Sequence, residues 1–452
     1  MRIAILAAGL FSVTAAVGVT LHKQGDANGQ KQGAPGQTSL TSGAMSGAPV
    51  SDVPSIAVNQ GKKREERAKV ELARLAIDDE HVQAVQPDGS MVPLTLSPAY
   101  QRLASKVLAS HHFPEAAMVV ADPITGKILA YASHTEAAAE AAKAGKNEVS
   151  RDLCREAIAP SASVFKIITA SALLSENVGI HAETQECFPD GGEQRLTNFH
   201  LRVDPKRDRY CAALSYAMAK STNPVFARLA SRFLTPEKLS VHAKKWGYGS
   251  PLSFDTAMMP SDLSIPSDPL AFARTAAGFW NTTLSPVHAV WLSSVIANEG
   301  VAPPLRIVER SDENRSGERI VSKEHAAVLR QLLSRTIPEG TGRKAFHDAH
   351  GLAYLPNIQV FGKTGTLTDA LKQRYYTWFT GFSVPSEKGP EVAISVLVVN
   401  GPSWKTKANV VAREFLQGMY AAEGLPHVHP PLLAMPKKAR KAVPRTGKPS
   451  SH

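Results

Sequence analysis

Nothing in the 452-residue chain repeats at a period of tens of residues, which sets aside solenoids and propellers. Its 15 histidines and three cysteines nowhere fall into a metal-ligand spacing, so neither a metal nor an organic cofactor is expected. Aromatic residues are few and none is interleaved with a basic stripe, so nucleic acid is not an expected partner despite a formal net charge of +11. Much of that charge is local: Lys437, Lys438, Arg440, Lys441, Arg445 and Lys448 sit in a Pro-containing C-terminal tail that reads as disordered. The remainder suits an anionic membrane surface, an acidic polymer or plain solubility.

The odd cysteine count fits an oxidising compartment that leaves one thiol unpaired. Cys187 and Cys211, with a polar, loop-like stretch between them, are the preferred bridge. Cys154 is expected to be a small buried side chain rather than a second nucleophile, because no Cys-His signature accompanies it.

Large apolar residues are almost absent from Gln24 to about Ser55, a stretch that cannot bury enough surface to fold and reads as a tether. Before it, Met1 and Arg2 lead into an uncharged run from Ile3 to Leu21, closed by His22 and Lys23. A helix of that length roughly matches a hydrocarbon core of about 30 Å. An uncleaved membrane anchor is the expectation. A cleaved signal peptide, with small residues at Ala15, Ala16 and Gly18, is the alternative, and either takes the chain out of the cytoplasm. The expected organisation is an anchor at 1–23, a flexible linker at 24–60, a small juxtamembrane element at 61–96, a compact domain at 97–424 and a basic tail at 425–452. Strong helix formers predict a helix over 61–78, followed by a hairpin turning at Asp88-Gly89.

Inside the compact domain, two apolar runs around Asp122, Pro123, Thr125 and Gly126 read as strand, turn, strand. Long helical stretches follow, and a strand-like cluster (NIQVFGKTGTL, YYTWFTGFSV, EVAISVLVVN) and a final helix close the domain. Strands at both ends with helices between them predict an α+β fold: an antiparallel sheet flanked by helices, with a mostly helical subdomain.

Ser163 and Lys166 are three apart at the start of a predicted helix and so share a face. A serine hydroxyl is a poor nucleophile, and a lysine one turn away, neutralised by burial and nearby positive charge, could take its proton. Alone, Ser-x-x-Lys is a common accident. Ser221 and Asn223, at the end of an apolar helical run before Pro224, could equally be a helix stop. Lys363-Thr364-Gly365-Thr366 is more specific: it follows an apolar strand, Gly365 permits close approach to the backbone, and Lys363 with two hydroxyls supplies anion-binding groups. Arg445-Thr446-Gly447, lacking any strand, is best taken as noise.

In this order the three elements match the Ser-x-x-Lys, Ser-x-Asn and Lys-Thr-Gly set of penicillin-binding proteins and class A β-lactamases. From about residue 97 to 424 the chain resembles a penicillin-binding transpeptidase domain, and its opening hairpin, the segment LSPVHAVWLSSVIANEGVAPP and the strand WFTGFSV add to the likeness. The resemblance implies that Ser163 forms an acyl-enzyme with D-Ala-D-Ala stem peptides or β-lactams, with Lys166 as its base. Ser221 relays the proton, Asn223 holds the acyl side chain, Lys363 keeps the potential positive, and Thr364 and Thr366 bind the terminal carboxylate. The oxyanion sits between the N–H groups of Ser163 and Thr366, beside Gly365. It further implies peptidoglycan as substrate, β-lactam antibiotics as ligands, an inner-membrane location facing the periplasm, and cell-wall synthesis proteins as partners.

One departure stands out, since AAGFWNTTLSP replaces a glycine-rich turn followed by Thr-Pro. A packing role is expected for Trp280. A serine β-lactamase, a D,D-carboxypeptidase, and a non-enzymatic scaffold or β-lactam sensor are the rival functions. The first needs a deacylating base that the sequence does not offer, and the second differs only in using water as acceptor.

Overall fold

The computed structural model describes residues 69–146, 151–190, 192, 195–310, 317–402 and 406–425. The proposed anchor, linker and basic tail, and the first half of the helix expected over 61–78, lie outside the described residues. Every described residue belongs to one compact unit that begins at Glu65.

The second half of that expected helix is instead a strand. Leu75–Ile77 (β1) pairs antiparallel with Val82–Val85 (β2), which pairs with Met91–Pro93 (β3) across the Asp88-Gly89 turn. Helix propensity is a small bias, and an available strand partner outweighs it. Val82 and Ala84 are at most 1% exposed, so β2 already belongs to the core and its free edge recruits Leu75, Ala76 and Ile77. The backbones of Val70 and Thr95 reach Asp255 and Ile307, tying this small sheet to the body.

The central sheet has five strands, all antiparallel, in the order β6-β7-β8-β4-β5. They are Glu115–Ala121 (β4), Ile128–Thr135 (β5), Ile358–Asp369 (β6), Arg374–Pro385 (β7) and Val392–Asn400 (β8). All nine residues of β8 are buried, because both faces of the sheet are covered. Ile394, Val396 and Val398 face a core shared with helices Pro98–Ser110 (α1) and Ala408–Ala422, while Ala393, Leu397 and Val399 face the other core. This is the period of two expected of a strand. Helix Pro286–Ala297 lies in the second core and is apolar on nearly every face, the pattern of a helix with no solvent side.

The fold is therefore α+β, an antiparallel sheet flanked by helices with a mostly helical part inserted between β5 and β6. The insertion holds helices Lys166–Ser175 (α2), Leu214–Lys220 (α3) and Asn223–Phe233 (α4). Cys187 and Cys211 are bridged, and Cys154 is buried with its thiol pushed well above the usual range by burial and by the nearby Asp152. Arg228, on α4, is 2% exposed and donates to the carbonyls of Cys187, His200 and Arg202 and to the Asp208 carboxylate. One buried guanidinium thus fixes the loop that the disulfide closes, and that loop accepts a hydrogen bond at Gly192 from Asn223. Among the described residues no helix is long and apolar enough to cross a membrane.

Candidate active site

Ser163 sits in a short 3-10 turn, Ala162–Phe165, that runs straight into α2. The turn is held from two sides. Trp378 on β7 donates to the carbonyl of Pro160, and Tyr248 meets the Ser161 hydroxyl at 3.1 Å. Ala162 takes the left-handed backbone conformation, with φ of 48°, a strained setting for a residue with a Cβ.

Lys166 is fully buried beneath the Ser163 hydroxyl, with Nζ 2.9 Å from Oγ. Its other partners are Asn223 Oδ1 at 2.7 Å and the carbonyl of Ala277. Burial, and then the positive charge of Lys363, hold its ammonium well below the ordinary lysine pKa.

Ser221 ends α3 in the left-handed conformation, with φ of 62°, and α4 starts two residues later with Pro224 in its first turn. The bland reading of Ser-Thr-Asn as a helix stop is therefore right about the backbone. It does not exclude a site, because the same stop points Ser221 at Lys363 and Asn223 at Lys166. Lys363 is fully buried on β6, 2.9 Å from both Ser221 Oγ and the carbonyl of Thr364, and burial pushes its pKa down to about 7.

β6 is an edge strand, so one rim of its backbone has no partner in the sheet. Along it Gly365 brings its backbone close to the Ser163 turn: a Cβ there would stand 3.2 Å from Ala162 Cβ. Thr364, Gly365 and Thr366 line a cleft of about 790 Å³ together with Ser163, Ser221 and Asn223. All eight residues singled out from the sequence meet here, six on the cleft wall and the two lysines behind it.

A family model, the penicillin binding protein transpeptidase domain, matches residues 116–417. The chain belongs to that family. Among its relatives, Stage V sporulation protein D of Bacillus subtilis is 25% identical over 338 residues, covering 69% of this chain and 50% of that protein, so the chain spans about half the length of that relative. Peptidoglycan D,D-transpeptidase PbpA of Mycolicibacterium smegmatis is 27% identical over 355 residues, covering 70% of this chain and 68% of that protein. The D,D-transpeptidase domain of a peptidoglycan glycosyltransferase from Eggerthella lenta superposes with a TM-score of 0.58 at 22% identity, over 76% of this chain and 95% of that domain.

In this penicillin-binding transpeptidase domain the cleft also contains residues that the motifs do not announce. Trp280, for which packing was expected, is 44% exposed and lines the cleft beside Phe279. It lies in the turn after helix Pro269–Ala276, whose start is capped by Asp268; Ala277 and Phe279 of that turn pack in or against the core, while Trp280 opens onto the cleft. Thr341, Lys407 and Asn409 line the cleft from other elements. Thr341 lies between two glycines, a signal of backbone constraint that sequence reading passed over.

Gly278 has φ of 78°, and a Cβ on it would press on the Ala162 carbonyl and stand 2.9 Å from Ser163 Cα. Both obstacles are backbone, so neither can swing aside. Gly278→Ala is expected to displace the turn that carries Ser163 and slow β-lactam acylation by about 100-fold. Stopped-flow acylation kinetics on folded variant check this, and an unchanged rate would mean that the turn yields.

Proposed function

We propose that this chain is a peptidoglycan D,D-transpeptidase that cross-links stem peptides through an acyl-enzyme on Ser163. The observation that supports this most strongly is the set of partners around Lys166. A neutral amine offers two N–H donors and one lone pair. Asn223 Oδ1 and the Ala277 carbonyl can only accept, so they take the two donors. The lone pair is then left for the Ser163 hydroxyl, 2.9 Å away. Burial and Lys363 favour this neutral state.

In the proposed reaction Ser163 Oγ attacks the carbonyl carbon of the penultimate D-alanine while its proton passes to Lys166. The oxyanion is held by the N–H groups of Ser163 and Thr366, donors of the kind that stabilise a tetrahedral intermediate. Collapse breaks the amide bond, and the departing D-alanine nitrogen takes a proton through Ser221, which Lys363 keeps in a positive field. Asn223 orients the acyl chain, and Thr364 and Thr366 hold the terminal carboxylate. An amine of a second stem then attacks the acyl-enzyme, forming the new amide and returning a proton to Ser163. β-Lactams acylate the same serine, and their ring-opened product has no diffusible leaving group.

We read residues 3–21 as an inner-membrane anchor, 24–60 as its linker and 61–96 as a juxtamembrane element, with the catalytic domain at 97–424 in the periplasm and the basic tail at 425–452 available to cell-wall synthesis partners. The test is incubation with a D-Ala-D-Ala stem peptide and an amine-bearing stem, followed by mass spectrometry. Cross-linked dimer is the expected product. Trimmed monomer alone would make the protein a carboxypeptidase, rapid turnover of penicillin a β-lactamase, and no acylation of folded protein a scaffold or sensor.

A further inference from the structure

The hydroxyl of Thr341 links one motif to the helix that leads into another. It meets the hydroxyl of Thr364, and it lies 3.3 Å from the carbonyl of Ala219, two residues before Ser221. The backbone N–H of Thr341 donates to the same carbonyl at 3.0 Å. Its own carbonyl accepts from Asn409 on the C-terminal helix. The turn that carries Thr341 is pressed onto α3, since a Cβ on Gly340 would stand 2.8 Å from the carbonyl carbon of Ala219.

A hydroxyl has one proton to donate. In the free protein the chain of donors can run from Thr364 to Thr341 to the Ala219 carbonyl. A carboxylate at Thr364 only accepts, so it reverses the order: Thr364 must donate outward, and Thr341 must donate to Thr364. Two hydroxyls in series polarise one another and strengthen the terminal bond to the anion. The backbone bond from Thr341 to Ala219 survives the reversal, so the carbonyl is not orphaned.

We propose that Thr341 is a positioning residue that donates to Thr364 while Thr364 donates to the substrate's terminal carboxylate, strengthening that bond, and so tunes specificity for carboxylate-bearing donors over their neutral analogues. The inference rests on the proposed acyl transfer at Ser163 and goes beyond it, since neither the motifs nor that reading assigns Thr341 a role.

Thr341→Val removes the hydroxyl and keeps the shape, and Thr341→Ser restores the hydroxyl. The second-order acylation constant is measured for a penicillin and for its carboxyl methyl ester, with wild type and both variants. Thr341→Val is expected to lose about tenfold on the penicillin and less than twofold on the ester, an effect the size of one hydrogen bond to a charged group. Thr341→Ser should stay within about twofold of wild type on both. Any general damage to the fold affects both ligands and cancels in their ratio. Equal loss on the two ligands, or no loss on the penicillin, overturns the proposal. If wild type is acylated by neither, the acyl-transfer reading itself fails, a result distinct from failure of the Thr341 assignment.

Discussion

Ser163→Ala is expected to leave no covalent adduct when the protein is incubated with a fluorescent penicillin and followed by intact mass, whereas wild type should gain one equivalent and keep it for hours. Lys166→Ala keeps the nucleophile but loses the base 2.9 Å from it, and its acylation slows by a factor on the order of 10³ or more. The two residues act as one unit, so the double variant is no worse than Ser163→Ala alone. Retention of label in the serine variant would move the nucleophile elsewhere. The buried thiol of Cys154, hydrogen-bonded to the carbonyl of Ala132 and held protonated, is a poor candidate for that part.

Lys363→Met is expected to make the protein more stable and far less active. Burial holds the native ammonium at about 7, while the unfolded chain keeps the ordinary lysine value of 10.5. Between those values the unfolded chain binds more protons, so wild-type stability rises with pH across the window and the penalty is full below it. Methionine fills similar space with no charge, and the gain at pH 6 is expected to be roughly 2–4 kcal/mol, shrinking towards pH 10. Urea unfolding at the two pH values measures it. A variant less stable than wild type at both would mean that the bonds to Ser221 and to the Thr364 carbonyl outweigh the buried charge. In the wild type the same titration is expected to act on function: acylation by a carboxylate-bearing β-lactam should decline as pH rises through about 7, where the charged form of Lys363 is lost. A site that holds two buried lysines gives up stability for a proton acceptor and a positive field.

The chemistry legible in the sequence is the part written in short spacings. Ser163 and Lys166 meet because one helical turn brings them together, and the Lys-Thr-Gly strand shows itself by the apolar run before it. The strands of the central sheet were readable for the same reason, and the bridge between Cys187 and Cys211 for another, the polar, loop-like stretch between them. What escaped depends on contacts made across the chain. The Ala277 carbonyl that fixes the state of Lys166 is 111 residues away from it, and no residue preference marks a carbonyl. Thr341 reaches Ala219 across 122 positions, and its threonine side chain looks like any polar turn. Trp280 was assigned to packing because large aromatics are usually covered, yet its turn opens onto a cleft that only the folded chain creates. The segment 69–78 failed as a helix because its conformation is set by β2, a partner that local propensity does not include.

The unpaired rim of β6 is a row of backbone donors and acceptors, the kind of edge on which a sheet can grow. Two copies meeting rim to rim would bring the cleft lysines Lys220 and Lys407 of each into mutual repulsion. The positive charge beside the cleft is therefore expected to disfavour self-association along this rim, and to do so less at high salt, where charges are screened.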